Sequence, residues 1–128
     1  MTTADQKGRL AEGYVRQLLQ KKGYEILAHR YKCKHGEIDF LALDFSGDGK
    51  TLVAIEVKYR KTFDDAAESI TLRQQQRIKN SVLDYLSRLS NNEGNSGDNF
   101  SSIRFDVVLL CKTKAPTYIE NAWQVEEE

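Results

Sequence analysis

The chain has 128 residues, 40% of them hydrophobic and 30% charged, which predicts a single soluble globular domain spanning residues 1–128. No run approaches the roughly 20 apolar residues of a membrane-spanning helix, and the N-terminus lacks the apolar stretch of a secretory signal. We therefore expect a cytoplasmic protein that has no membrane partner. The formal net charge is zero, which argues against nucleic-acid binding through bulk charge alone.

The charges are distributed unevenly along the chain. Lys and Arg outnumber Asp and Glu by four in residues 1–80, and the reverse holds in residues 81–128. We therefore expect an anionic partner to contact the first part of the chain. An uneven but fully solvated surface is the simpler alternative.

The first predicted element is an amphipathic helix over residues 4–22, which Gly23 ends at the usual position just past a helix C-terminus. Three strands are predicted next, over residues 24–31, 37–43 and 51–58, with turn-forming residues between them. Together these strands are typical of an antiparallel meander. The apolar face of the helix consists of Leu10, Ala11, Tyr14, Val15, Leu18 and Leu19.

A second long helix is predicted over residues 71–90, where Thr71 and Gln74 match the spacing of a capping box. The polar segment 91–101, rich in Gly and Asn, is predicted to be a mobile loop. Two further strands follow, so the fold class is α/β, a sheet covered by helices. The second helix has the apolar face Ile78, Val82, Leu83, Leu86 and Leu89, and the two strands cover residues 103–111 and 117–123.

The third predicted strand ends in an unusual pair of charges. Its alternation places Glu56 and Lys58 on the same face as Leu52 and Ala54, although a buried charge needs a compensating partner. A solvated strand end with an ordinary cross-strand ion pair is one interpretation. The second strand favours another, because alternation separates Asp39 from Ile38, Phe40 and Ala42. Hairpin pairing of the two strands then predicts that Asp39 lies beside Glu56.

Two neighbouring carboxylates repel each other unless a cation lies between them, and Mg²⁺ prefers this kind of oxygen site. Lys58 is then placed to contact a phosphate or a metal-bound water. Glu12 falls about 20° beyond Leu19 on the helical wheel, so a third carboxylate is predicted at the rim of the buried face. An ordinary boundary glutamate is the alternative. The basic residues predicted to hold a nucleic-acid backbone are Arg30, Lys32, Lys34, Arg60 and Lys61.

The segments GRLAEGYVRQLLQKKGYEIL, HGEIDFLALD, IEVKYR and RFDVV resemble the small bacterial proteins of the YraN-like family. That family is similar to the restriction-endonuclease-like superfamily, whose signature is PD-(D/E)xK, and to archaeal Holliday-junction resolvases. The resemblance runs from about Gly8 to Trp123. It implies a mixed four- to five-stranded sheet flanked by helices in the order αβββαβ, and a phosphodiesterase site dependent on Mg²⁺ or Mn²⁺.

The resemblance also implies a role for each site residue. Asp39 and Glu56 would be metal ligands, helped by the Val57 carbonyl, while Lys58 would orient or activate the attacking water. Glu12 would support the metal or a second ion. The sequence departs from the pattern in two places, because Ile38 replaces the signature proline and Gln74 replaces a lysine that is common in the second long helix.

The sequence thus predicts a metal-dependent nuclease acting on DNA, of structured or branched form. A second hypothesis is a non-catalytic nucleic-acid-binding or recruiting module that keeps the nuclease fold. A third is a structural or assembly protein whose acidic cluster is incidental. Since one small domain offers limited room for a duplex, a homodimer or a protein partner is also expected.

Overall fold

A five-stranded sheet forms the centre of the part of the chain that the computed structural model describes, residues 4–90, 100–112 and 114–124. The strands lie side by side in chain order, and helices cover both faces of the sheet. In chain order the elements are α1 (Ala4–Lys21), β1 (Glu25–Cys33), β2 (Gly36–Asp44), β3 (Thr51–Arg60), α2 (Phe63–Glu68), α3 (Leu72–Ser90), β4 (Ser102–Cys111) and β5 (Thr117–Trp123).

The sheet is mixed, as expected, and the fold is consistent with the restriction-endonuclease-like class. Strands β1, β2 and β3 form the predicted antiparallel meander, and β5 pairs antiparallel with β4. In contrast, β3 and β4 are parallel. A parallel pair needs a long crossover, which α2, α3 and the segment after them supply here.

Helix α1 covers one face of the sheet, where Ala11, Val15 and Leu19 pack against Phe40 and Ile55 in one buried cluster. Its end matches the prediction. The Gly23 amide donates to the Gln20 carbonyl (3.0 Å) and the Tyr24 amide donates to the Leu19 carbonyl (3.1 Å). These two bonds form a Schellman motif, and Gly23 has the positive φ of 81° that this motif favours.

Helix α3 covers the other face, where Ile78 and Val82 pack against Ile38, Leu41 and Leu52. The Thr71 hydroxyl accepts a hydrogen bond from the Gln74 amide at 3.2 Å, so the predicted N-cap is present. The short helix α2 beside it was not predicted, because its six residues are too few to show a helical period. The sequence signals for α2 are its N-cap Thr62, whose hydroxyl accepts from the Asp65 amide, and the acidic first turn of Asp64 and Asp65.

The predicted apolar faces of the two long helices are too wide. Leu10 is 71% exposed, Tyr14 44% and Leu83 51%. A helix lying on a sheet buries only a narrow strip, which in α1 has the spacing i, i+4, i+8 of Ala11, Val15 and Leu19. Leu10 and Tyr14 each precede a residue of that strip and so lie about 100° away from it.

Most of the loop predicted over residues 91–101 lies outside the described residues, since the description stops at Ser90 and resumes at Phe100. Phe100 itself packs against the cluster beneath α3. No helix in the described parts of the chain is both long enough and apolar enough to cross a membrane.

Candidate active site

The candidate site lies where β2 and β3 separate. The two strands pair in register from Asp44 opposite Thr51 to Phe40 opposite Ile55. Beyond Phe40 the pairing stops, and the Asp39 carboxylate takes the place of a backbone acceptor. Its Oδ2 accepts a hydrogen bond of 2.7 Å from the Val57 amide. Asp39 is therefore anchored to the strand that carries Glu56.

Glu56 is a buried carboxylate with an incomplete set of partners. It lies on the sheet face of Leu52 and Ala54, as the alternation predicts, and is only 5% exposed. Its Oε2 atom is buried and has no hydrogen-bond partner among the described residues. Buried polar groups are almost always hydrogen-bonded, so this atom needs a proton or a cation.

The charges around Glu56 explain its electrostatics. Burial raises the pKa of the Glu56 carboxyl far above its usual range, and the adjoining Asp39 carboxylate raises it further. The Lys58 ammonium offsets only part of this rise, and the exposed Glu37 carboxylate adds to it. Asp39 and Lys58 thus both act on Glu56 through their charges, and the roles predicted for these three residues in a metal site stay predictions.

Glu12 lies at the rim of the buried face of α1, as the helical wheel predicts, but it contacts β1. Its carboxylate accepts three hydrogen bonds of 2.7 to 3.1 Å from the Arg30 guanidinium and lies 3.1 Å from His29 Nε2. Burial opposes ionisation of Glu12, but the hydrogen bonds and charge of Arg30, with a contribution from His29, lower its pKa.

The structure therefore gathers two acidic side chains and not three. Within residues 4–90, 100–112 and 114–124, no group of three or more His, Cys, Asp or Glu side chains is arranged to hold a metal ion. This differs from the expectation that Glu12 supports the metal. The helical wheel correctly predicts the side of α1 on which Glu12 lies, but it contains no information about which strand Glu12 contacts.

Asp39 and Glu56 nevertheless fit a hard divalent cation, because they supply adjoining carboxylates and one buried oxygen that no described residue hydrogen-bonds. Mg²⁺ commonly uses one or two protein carboxylates and completes its shell with water and phosphate oxygens. The Val57 amide is used by Asp39. The role of the Val57 carbonyl as a ligand stays a prediction.

Four of the five predicted basic contacts are exposed or partly exposed at strand ends: Lys32, Lys34, Arg60 and Lys61. They lie at the ends of β1 and β3, which the antiparallel meander brings to the same end of the sheet as Asp39. Arg60 also donates to the Tyr59 carbonyl at 2.8 Å. Arg30 differs from these four, since its guanidinium is directed to Glu12 on α1.

One polar cluster was not predicted from the sequence. At the opposite end of the sheet, Arg104 donates to Asp106 (2.9 and 3.0 Å), to Asp44 (2.8 Å) and to the Tyr24 hydroxyl (2.8 Å). The buried Asp106 also accepts from the Tyr118 hydroxyl. Every one of these buried charges is therefore paired, which indicates a structural role for the RFD segment. The available signal was the pair of opposite charges, Arg104 and Asp106, two residues apart in a strand that is otherwise mostly apolar.

Comparisons with known proteins agree with one another. The profile of the Uncharacterised protein family UPF0102 matches residues 11–110. The chain is 34% identical over 127 residues to the UPF0102 protein amb4503 of Paramagnetospirillum magneticum, covering 96% of this chain and 91% of that protein. It is 38% identical over 117 residues to the UPF0102 protein RPA0323 of Rhodopseudomonas palustris, covering 91% and 82% respectively. A UPF0102 protein of Colwellia psychrerythraea is 35% identical over 127 residues, covering 95% of this chain and 92% of that protein.

Proposed function

We propose that this chain, which belongs to the UPF0102 family, is a divalent-metal-dependent nuclease. It would hydrolyse phosphodiester bonds with a metal ion held by Asp39 and Glu56. The observation that carries the proposal is the buried Oε2 atom of Glu56, which lies beside a second carboxylate and has no hydrogen-bond partner in the described part of the chain. A purely structural acidic pair would be destabilising at neutral pH, whereas a cation would satisfy both groups.

The residues around the pair suit phosphodiester chemistry. A bound Mg²⁺ or Mn²⁺ would supply a water of lowered pKa and positive charge against the phosphate. Asp39, anchored by the Val57 amide, and Glu56, fixed by burial, would hold such an ion in place. Lys58, two residues beyond Glu56, would place its ammonium against a phosphate oxygen and stabilise the charge that develops there.

The proposed substrate is DNA of structured or branched form. Lys32, Lys34, Arg60 and Lys61 lie at the same end of the sheet as the carboxylates and can bind phosphates without reading a base sequence. The net charge of zero limits the surface that one copy can offer to a duplex. A second copy or a protein partner would extend it.

One observation favours a second candidate, a nucleic-acid-binding module without catalysis. Glu12, the third carboxylate of the predicted site, is held by Arg30 and His29 and does not join Asp39 and Glu56 in the part of the chain that the structure describes. A site with two carboxylates could bind a metal and a phosphate without activating water. The two candidates differ in whether the bound nucleic acid is cleaved.

The deciding experiment combines cleavage, binding and metal titration. The protein is incubated with Mg²⁺ or Mn²⁺ and single-stranded, duplex, flapped or four-way-junction DNA, or an RNA. We expect cleavage that Asp39→Asn and Glu56→Gln both abolish, while Glu37→Gln, an exposed acidic neighbour, retains it. Cleavage that survives in Asp39→Asn or Glu56→Gln would refute the assignment of the site. Binding without cleavage would favour the second candidate.

A further inference from the structure

The hairpin of β1 and β2 is distorted at the level of Asp39. His29 pairs with Phe40 and Tyr31 pairs with Ile38, so the residues between them, Arg30 and Asp39, are opposite each other. Arg30 has a φ of 55°, in the left-handed region. For a residue with a side chain this conformation costs about 1 to 2 kcal/mol, so surrounding contacts must hold it.

At this distortion, residues two positions apart lie on opposite faces of the sheet, in β1 and in β2 alike. His29 stacks on Phe40, which packs under α1, whereas Tyr31 contacts Tyr85 on the opposite helix. In β2, likewise, Phe40 belongs to the cluster under α1 and Ile38 to the cluster under α3. The alternation that predicts one shared face for Ile38 and Phe40 is therefore wrong, because β2 turns at Asp39, opposite the left-handed Arg30 of β1.

Glu12, on α1, contacts both the left-handed residue Arg30 and the preceding residue His29. One of its oxygens accepts from Arg30 Nη2 at 2.7 Å, and both oxygens lie 3.1 Å from Arg30 Nε. The same carboxylate lies 3.1 Å from His29 Nε2, and the His29 ring stacks on Phe40 with centroids 4.6 Å apart. One carboxylate thus fixes the left-handed residue and the residue before it.

The distortion also releases Asp39 from ordinary pairing. At this level β1 and β2 are turned, and the ladder between β2 and β3 begins only at Phe40. The Asp39 side chain, just before it, reaches the Val57 amide. An undistorted strand would keep Phe40 and Ile38 on one face and direct Asp39 away from the plane of the sheet. The position of the Asp39 carboxylate therefore depends on the backbone of Arg30.

We propose that Glu12 is a positioning residue, which holds Arg30 in the left-handed conformation and thereby sets Asp39 against Val57 and Glu56. This inference deepens the proposed function and rests on it for the role of Asp39 in binding metal. It replaces the sequence expectation that Glu12 supports the metal directly. Its geometric part concerns only the chain itself, so it can be measured without metal, nucleic acid or activity.

The test measures amide hydrogen exchange of Val57 by NMR in the metal-free protein, with the Val53 amide as a reference for global stability. In Glu12→Gln we expect Val57 to exchange about tenfold faster relative to Val53, as the bond to Asp39 weakens. Adding Arg30→Gly should restore the wild-type ratio, because glycine adopts positive φ without strain. Adding Arg30→Ala, which removes the same guanidinium, should not restore it.

The affinity for Mn²⁺, measured by titration, should follow the same pattern across these variants. If Glu12 were a metal ligand, Val57 exchange would be unchanged in metal-free Glu12→Gln, and Arg30→Gly would rescue nothing. Equal rescue by Arg30→Gly and Arg30→Ala would also refute the proposal, since the guanidinium and not the backbone would then be responsible. Absence of cleavage on every substrate, with the exchange pattern intact, would refute only the nuclease.

Discussion

The substitution Glu56→Gln is expected to change how stability depends on pH. Because burial and Asp39 raise the pKa of Glu56 in the folded protein, the folded chain keeps a proton that the unfolded chain has already lost. Stability must therefore fall as pH rises from the usual glutamate pKa towards the raised value. A glutamine side chain does not ionise, so the unfolding free energy of the variant lacks this dependence on pH.

The magnitude follows from the number of protons. One extra proton bound by the folded state corresponds to about 1.4 kcal/mol of unfolding free energy per pH unit. From about pH 5.5 to about pH 7.5, wild type should therefore lose about 3 kcal/mol relative to Glu56→Gln.

The assay is urea unfolding at several pH values, followed by the fluorescence of Trp123, the one tryptophan of the sequence. Trp123 stacks on Phe105 in the folded protein, with ring centroids 5.2 Å apart, so unfolding changes its surroundings. Glu37→Gln is the matched control, because it removes an exposed charge nearby and should follow wild type closely. Parallel curves for wild type and Glu56→Gln would refute the assignment of a raised pKa to Glu56.

Three further results are expected. Arg104→Met should lower the free energy of unfolding, measured in urea, by about 3 kcal/mol, because it leaves the charge of the buried Asp106 uncompensated. Arg88→Met, which removes an exposed ion pair, is the control and should change this free energy by less than about 1 kcal/mol. Comparable losses would contradict the structural role of the Arg104 cluster. Gly23→Ala should lower the thermal midpoint, at a cost of about 1 kcal/mol, because the φ of Gly23 is positive. Gly13→Ala inside α1 should raise the midpoint, since alanine favours a helix and the new methyl group meets no described atom within 4 Å. A shift of the thermal midpoint in the same direction for both variants would refute this reasoning. Finally, calorimetry in buffers of different ionisation enthalpy should show release of about one proton, that of Glu56, when Mg²⁺ binds at neutral pH. No release would mean that the Glu56 carboxyl is already ionised in the metal-free protein.

Features set by neighbouring residues could be predicted from the sequence. Gly23 ends α1 because the left-handed conformation of a helix terminus is a local backbone property. Glu56 lies on the face of Leu52 and Ala54 because side chains alternate along any regular strand. The pairing of β2 with β3 followed from the turn-rich segment between them, which is short enough to force an antiparallel hairpin.

The sequence by itself thus determined the order of the strands and the two long helices, the α/β class and the strand end at which charges accumulate, because these depend on periods of two and 3.6 residues and on turn chemistry. Only the tertiary structure decided the partner of Glu12, the contact of Asp39 with Val57 and the pairing of Arg104 across the sheet. Each of these contacts joins residues at least 18 positions apart, or depends on a left-handed residue inside a strand. Such contacts follow from the register between strands and from the strand that a helix meets, and no local pattern encodes either.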